Sequence, residues 1–126
     1  KYEKIAREQV RYQAYDVDDA EVVLVAYGTT ARVARSAQKK ARASGLKVGL
    51  FRPISLFPFP IEPLAKLAEE AAAFLVVEMS LGQMVEDVRL AVNGRRPVSF
   101  YGRTGGMIPT PQEISEEIGR IYARVG

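Results

Sequence analysis

The chain has no cysteine and no histidine. Without cysteine it can make no disulfide, no thiolate nucleophile, no cysteine-ligated zinc site and no iron–sulfur cluster of its own. Without histidine it lacks the commonest general base and the commonest metal ligand. Charge of one sign is also scarce. The net charge is +3, and the basic residues fall in short scattered clusters, Lys39–Lys40–Arg42 and Arg95–Arg96. A nucleic-acid face is usually denser and interleaved with aromatics, so no nucleic-acid partner is expected. The longest apolar run falls far short of the roughly 18 residues a membrane helix needs, and nothing reads as a signal peptide. Repeats and low-complexity segments are missing too. At 126 residues the chain reads as one soluble, cytoplasmic domain, long enough to hide roughly two-thirds of its unfolded surface. Its first residue, Lys1, fits a piece of something longer.

What is present is organised around Phe74 to Asn93, FLVVEMSLGQMVEDVRLAVN. Phe74 to Val77 reads as a buried strand that stops on Glu78. Leu81, Val85, Val88 and Val92 then fall on one face of a 3.6-residue repeat, with Ser80 and Gln83 spaced as a capping box at the helix start. A strand that ends on a carboxylate and launches a helix through Gly82 is the unit of an open α/β sheet. Such sheets present ligands or partners at the carboxyl ends of their strands.

The rest of the chain repeats that unit. Residues 1–9 read as a linker or short lead-in helix, and residues 10–126 as the domain. Val10 to Tyr15 alternates like a half-exposed edge strand. Val22 to Tyr27 is an apolar run of the kind buried on both faces. After Gly28, a threonine is expected to cap a helix running to about Ser44, with Val33, Ala34, Ala37 and Ala41 inward and Gly45 as the left-handed stop. Lys47 to Arg52 is the next strand. A proline-punctuated crossover leads to a helix with Ile61, Leu64, Leu67, Ala68 and Ala71 inward. Pro97 to Tyr101 is the last strand. A glycine-rich loop then enters the final helix, where Thr110 caps, Pro111 takes the first helical position and Glu113 completes a capping box. Ile114, Ile118, Ile121, Tyr122 and Val125 form its apolar stripe. Four strand–helix steps imply a mainly parallel sheet with helices on both faces. Spacing leaves open whether the first strand pairs with the second or lies antiparallel elsewhere.

Candidate chemistry gathers at the strand ends. Gly28, Thr29 and Thr30 open a helix and offer free N–H groups to an anion. The plainer account is a tight turn and a threonine cap, since the pattern is neither GxGxxG nor a Walker A loop. Gly105 and Gly106 could admit a phosphate or another backbone closely, or simply let Pro109 reach the last helix. Glu78 has Ser80 and Gln83 near it in sequence, but no histidine, cysteine or second carboxylate to relay a proton. A hydrogen bond to a neighbouring loop or subunit suits it better. Arg103 lies in a loop where it could meet an anion or an acidic partner. Phe57 and Phe59, interleaved with Pro58 and Pro60, make a rigid apolar knob that packs on this domain or on another. The residues thus describe an α/β domain without a self-sufficient catalytic set.

Several segments together resemble one family. GLFRPISLFPFP (Gly49 to Pro60), the span from Val76 to Gly106 with its EMSLGQ, VEDVR and YGRTGG elements, IPTPQEI (Ile108 to Ile114) and AYGTTARVARSAQKKAR (Ala26 to Arg42) are similar to the C-terminal region of the α subunit of 2-oxoacid:ferredoxin oxidoreductases. The run from Phe100 to Ile114 looks most like the branched-chain, 2-oxoisovalerate type, with 2-oxoglutarate enzymes close behind. Ser80 departs from the family pattern, where asparagine is common, so no side-chain role is carried over to it.

The resemblance implies a transketolase C-terminal-like, three-layer α/β/α sandwich. Its five-stranded sheet has the order 1-3-2-4-5, with strand 1 antiparallel. Gly28, Thr29, Glu78 and Gln83 would then share a crevice at the topological switch point. It also implies that the parent complex oxidatively decarboxylates a 2-oxoacid with coenzyme A to acyl-CoA, carbon dioxide and reduced ferredoxin. Thiamine diphosphate, Mg²⁺, iron–sulfur clusters and coenzyme A would be held by other domains and subunits, and this domain would hold no cofactor or metal and no catalytic residue. Its expected partners are the N-terminal domain of the same α subunit, the thiamine-binding β subunit, the γ subunit and a ferredoxin-like subunit, with ferredoxin as acceptor. The expected role is structural, with Phe57, Phe59 and the carboxyl-end loops as contact points. Two rival readings stand beside it. One is the same domain of another thiamine enzyme, a transketolase or a pyruvate dehydrogenase β subunit. The other is a free-standing regulatory module binding an anion at Gly28 to Thr30.

Overall fold

A computed structural model describes residues 12–54, 61–78, 83–92, 96–102 and 110–125. These form strands β1 (Tyr12–Tyr15), β2 (Val22–Val25), β3 (Val48–Pro53), β4 (Ala73–Glu78) and β5 (Val98–Gly102). The helices are α1 (Thr29–Ala43), α2 (Ile61–Leu67), α3 (Gln83–Val92) and α4 (Pro111–Val125). The strands make one five-stranded sheet of order β1-β3-β2-β4-β5. Every neighbouring pair is parallel except β1 with β3, where Tyr12 lies opposite Pro53 and Tyr15 opposite Leu50. The first strand is therefore the antiparallel edge.

Alternation along the strands feeds two separate cores. Val23, Val25, Phe51, Phe74 and Val76 pack with Leu64, Ala68, Val88, Ala91 and Val92 on the face of α2 and α3. Val22, Leu24, Val48, Leu50, Leu75 and Val77 pack on the other face, beneath α1 and α4. All four residues of β2 are buried, as a strand covered on both sides requires. On α1, Ala31, Ala34, Ala37 and Ala41 line the inner face, and methyl-sized side chains let the helix lie close to the sheet. Ile114, Ile118 and Ile121 of α4 do the same work with larger side chains.

The end of α1 follows the expected stop. Gly45 has φ 93, its N–H donates to the Arg42 carbonyl at 3.0 Å, and the Leu46 N–H donates to the Ala41 carbonyl at 3.0 Å. This is the paired closure of a Schellman motif. Its beginning differs from expectation. Gly28, not a threonine, is the cap residue, with φ 64 and ψ −143 and no side-chain cap bond. That backbone conformation is one only glycine adopts readily, so the chain turns at Gly28 and both threonines fall inside the helix.

Three further expectations are corrected. Ile61 is 49% exposed, because it is the first residue of α2, and the inner face begins one turn later at the fully buried Leu64. Helix α2 also stops at Leu67, although Ala68 and Ala71 beyond it remain buried. On β1 the alternation does not translate into burial. Tyr12, Gln13 and Ala14 are all exposed, and only Tyr15, packed against the core beneath α1, is half-buried.

Candidate functional site

The carboxyl ends of β2 and β4 lie side by side, with Val25 opposite Val76. From β2 the chain passes through Gly28 into α1, on one face of the sheet, and on to β3. From β4 it passes to α3, on the other face, and on to β5, so the sequence order reverses between these two strands. This is the switch point at which open α/β sheets form a crevice. The backbone places Gly28 and Thr29 beyond one strand end, Glu78 at the other beside Gly102 of β5, and Gln83 at the start of α3. Phe57, Phe59, Ser80, Arg103, Gly105 and Gly106 lie outside the described residues, as does the Ser80 half of the expected capping box.

On the α1 side of the crevice the helix start carries no cap or counter-charge of its own. There is no acidic residue in the first turn and no side-chain cap, and Thr30 is 4% exposed. The first N–H groups therefore present the positive end of the helix dipole at the strand ends. At the far side of the sheet the final helix is locked in place. The Glu113 N–H donates to Thr110 Oγ1 at 3.2 Å and the Thr110 N–H donates to Glu113 Oε1 at 3.0 Å, closing the expected capping box. The Tyr101 hydroxyl, from the end of β5, donates to Glu113 Oε2 at 2.5 Å. Glu113 thus ties a strand end to a helix start. Sequence spacing reveals the capping box, but not the contact from Tyr101.

A second polar cluster closes the opposite, amino end of the sheet, and sequence reading missed it. Gln38 is fully buried on the alanine face of α1. Its amide donates to Asp16 Oδ2 and to the Val48 carbonyl, both at 2.9 Å, and its oxygen accepts from Arg35 at 2.6 Å. Arg42 donates to the Val48 carbonyl at 2.9 Å, to the Asp16 carbonyl at 2.6 Å, and to both carboxylate oxygens of Asp19 at 2.6 and 3.2 Å. The hydrogen bond from Gln38 is the main cause holding the Asp16 carboxyl below its ordinary value, and the bond from Arg42 does the same for Asp19. The Tyr122 hydroxyl, donating to the Lys47 carbonyl at 2.9 Å, is pushed up to about 12, mainly by burial and then by Glu21. The visible signal for this cluster was a glutamine on a face otherwise made of alanines. It fastens the β1–β2 turn to α1.

Among the described residues, no three histidine, cysteine, aspartate or glutamate side chains converge to hold a metal ion. None of their helices is long and apolar enough to cross a membrane.

Residues 20–114 match the family model of the pyruvate:ferredoxin oxidoreductase core domain II. The chain belongs to that family. It is 50% identical over 121 residues to the ketoisovalerate oxidoreductase subunit VorB of Methanothermobacter thermautotrophicus, covering 96% of this chain and 34% of the relative. It is 36% identical to the 2-oxoglutarate synthase subunit KorA of Methanothermobacter marburgensis, over 80% of this chain and 27% of that subunit. The chain therefore spans about a third or less of these relatives. The 2-oxoglutarate:ferredoxin oxidoreductase of Magnetococcus marinus, solved with 2-oxoglutarate, coenzyme A and succinyl-CoA bound, superposes with a TM-score of 0.82 at 23% identity, covering 94% of this chain and 21% of that one. A split-gene transketolase, an inactive β4 tetramer, gives 0.78 at 19% identity, covering 92% of this chain and 42% of that one. At these identities the structures speak for the fold, which is that of a transketolase C-terminal domain.

Proposed function

We propose that this domain is a non-catalytic structural and assembly unit of a 2-oxoacid:ferredoxin oxidoreductase α subunit. The complex would oxidatively decarboxylate a 2-oxoacid with coenzyme A, giving acyl-CoA, carbon dioxide and reduced ferredoxin. The observation that carries this reading is the 50% identity to a ketoisovalerate oxidoreductase subunit across 96% of the chain. That likeness also favours a branched-chain 2-oxoacid as substrate.

Thiamine diphosphate with its Mg²⁺, the iron–sulfur clusters and coenzyme A would be bound elsewhere in the complex. The residues of this chain do not fit the clusters, since it has no thiolate to offer them. Thiamine diphosphate supplies carbanion stabilisation where it is bound, and this domain would support its neighbours around that site. Its contacts would be the N-terminal part of the same subunit and the β, γ and ferredoxin-like subunits. The carboxyl-end crevice and the Phe57–Phe59 knob are the candidate surfaces.

The test uses the intact complex carrying Thr29→Ala or Glu78→Gln. An assembly role predicts that turnover per assembled complex, followed as coenzyme-A-dependent reduction of ferredoxin with 2-oxoisovalerate, stays within about two-fold of the parent, while the yield of assembled complex on native mass spectrometry falls. A loss of about a hundred-fold in kcat with assembly intact is the size expected of a lost general acid or base. It would overturn the non-catalytic reading.

A further inference from the structure

The two ends of the sheet differ in charge. The turns at the amino end carry Asp16, Asp18, Asp19, Glu21, Glu69 and Glu70. The connections that leave the carboxyl ends of β2, β3, β4 and β5, residues 26–28, 54–60, 79–82 and 103–109, contain no aspartate or glutamate. On the α1 side of that end stand two arginines, Arg32 of α1 and Arg52 of β3. Two contacts fix the register between their elements. Gln38 donates to the Val48 carbonyl at 2.9 Å, and Arg35 lies 4.1 Å from the centroid of the Tyr15 ring, which is paired opposite Leu50. Helix α1 therefore runs against β3. The next step in the same direction, roughly 5 Å on the helix and 7 Å on the strand, brings Arg32 to the level of Arg52.

Arg52 is held loosely. Its Nη1 donates to Gln13 Oε1 at 3.4 Å, and that oxygen already accepts from the Tyr15 hydroxyl at 2.8 Å. Its Nε is buried and donates to nothing. Folded proteins leave few buried donors unmade, because each has given up its water without a replacement. Arg32 is exposed, and among the described residues neither arginine makes an ion pair. Further along the same helix Arg35 and Arg42 do, with Asp16 and Asp19. This side of α1 is thus neutralised at the amino end of the sheet and left cationic at the carboxyl end. An acceptor from outside the fold completes it. A carboxylate meets a guanidinium in plane through two parallel hydrogen bonds. Turning Arg52 from Gln13 to such a partner forfeits one long bond and gives Nε an acceptor.

We propose that Arg32 and Arg52 dock an acidic segment from another part of the assembled enzyme, with one carboxylate on each guanidinium. This inference deepens the assembly reading above and rests on it. Because a planar fork takes a carboxylate in one plane, the pair at Arg52 fixes the orientation of the domain, while the exposed Arg32 draws the segment in.

Zero-length coupling reads the contact. The intact complex is assembled with Arg32→Lys/Arg52→Lys, which keeps both charges, and treated with a carbodiimide, which joins an amine only to a carboxylate in contact with it. Peptide mass spectrometry should find adducts from positions 32 and 52 to aspartate or glutamate outside these 126 residues. Their yield should exceed that of native Lys39, exposed on the same helix, at least about ten-fold. No such adduct, yields no greater than that of Lys39, or adducts confined to carboxylates of this chain such as Glu3 and Glu8 would overturn the proposal. Arg32→Glu/Arg52→Glu should raise the concentration at which half the complex is assembled on native mass spectrometry at least about ten-fold, an excess that shrinks as KCl is added. The Tm of the chain carrying these two substitutions should stay within a few degrees of the parent's, which separates lost docking from a lost fold. Unchanged assembly would also overturn the docking. If the unaltered chain forms no complex, the assembly reading falls and takes this inference with it; a complex that forms without adducts at positions 32 and 52 removes the inference alone.

Discussion

Asp16 holds the amino end of the sheet together through its backbone as much as its carboxylate. It is the only non-glycine residue with positive φ among the described residues, at 55, a conformation costing about 1 kcal/mol that its hydrogen bonds offset. Its carbonyl lies 2.9 Å from where a Cβ on Gly49 would stand, with Ala20 Cβ and Val17 Cα at 3.0 Å. Gly49→Ala should therefore force backbone to move and cost about 1–3 kcal/mol. Gly45→Ala meets nothing within 4 Å and should cost only the strain of its φ 93, about 1 kcal/mol. Urea midpoints of the two variants rank these costs, and the reverse order would show that the turn gives way easily. The same residue sets an acid limit. Asp16 and Asp19 are depressed carboxylates, so the unfolded chain binds more protons than the folded one as pH falls. Their contribution is complete above the ordinary carboxylate value and drains as pH drops through the lowered ones. Stability should fall below about pH 4, and fall less steeply in Asp16→Asn/Asp19→Asn; identical pH slopes would place the acid sensitivity elsewhere.

Helix ends separate what could be read ahead of the structure from what could not. The start of α4 was legible because its cap uses side chains at fixed spacing, Thr110 and Glu113. Thr110→Ala should cost about 1 kcal/mol. Glu113→Ala should cost more, because it also removes the hydrogen bond from the Tyr101 hydroxyl. Thermal unfolding of both, with Tyr101→Phe as a third corner, would show whether the Tyr101 and Thr110 contacts add independently. The start of α1 was misread because its turn depends on the φ of Gly28, a backbone property that a threonine-rich sequence conceals. The inward direction of Ile61 was misread for a related reason. Periodicity gives the phase of a stripe but not the turn at which the helix meets the sheet.

For the whole molecule, strand–helix alternation and the two-sided burial of β2 and β4 made the fold class readable from apolar runs alone. Spacing did not yield the strand order, because the partner of β1 depends on contacts some forty residues away, between Tyr12 and Pro53. That order came through likeness to a family. The crevice between β2 and β4 follows from topology once the order is known.

Burial on both faces also bears on how the strands find their alignment. Sliding β4 by one residue along β2 would send every buried side chain to the opposite layer. In a sheet with one wet face, polar residues forbid that error. Here valine and leucine are at home on either side, and ring size does the discriminating. Phe51 and Phe74 belong to the layer under α2 and α3, while the other layer is already filled by Ala31, Ala34, Ala37 and Ala41 of α1 and by Ile114, Ile118 and Ile121 of α4. A slipped β4 would press the Phe74 ring into a layer those side chains already fill. The bulk of Phe74 on β4, like that of Phe51 on β3, would therefore disfavour a one-residue slip of its strand. Replacing both with leucine would leave a chain able to settle into more than one alignment.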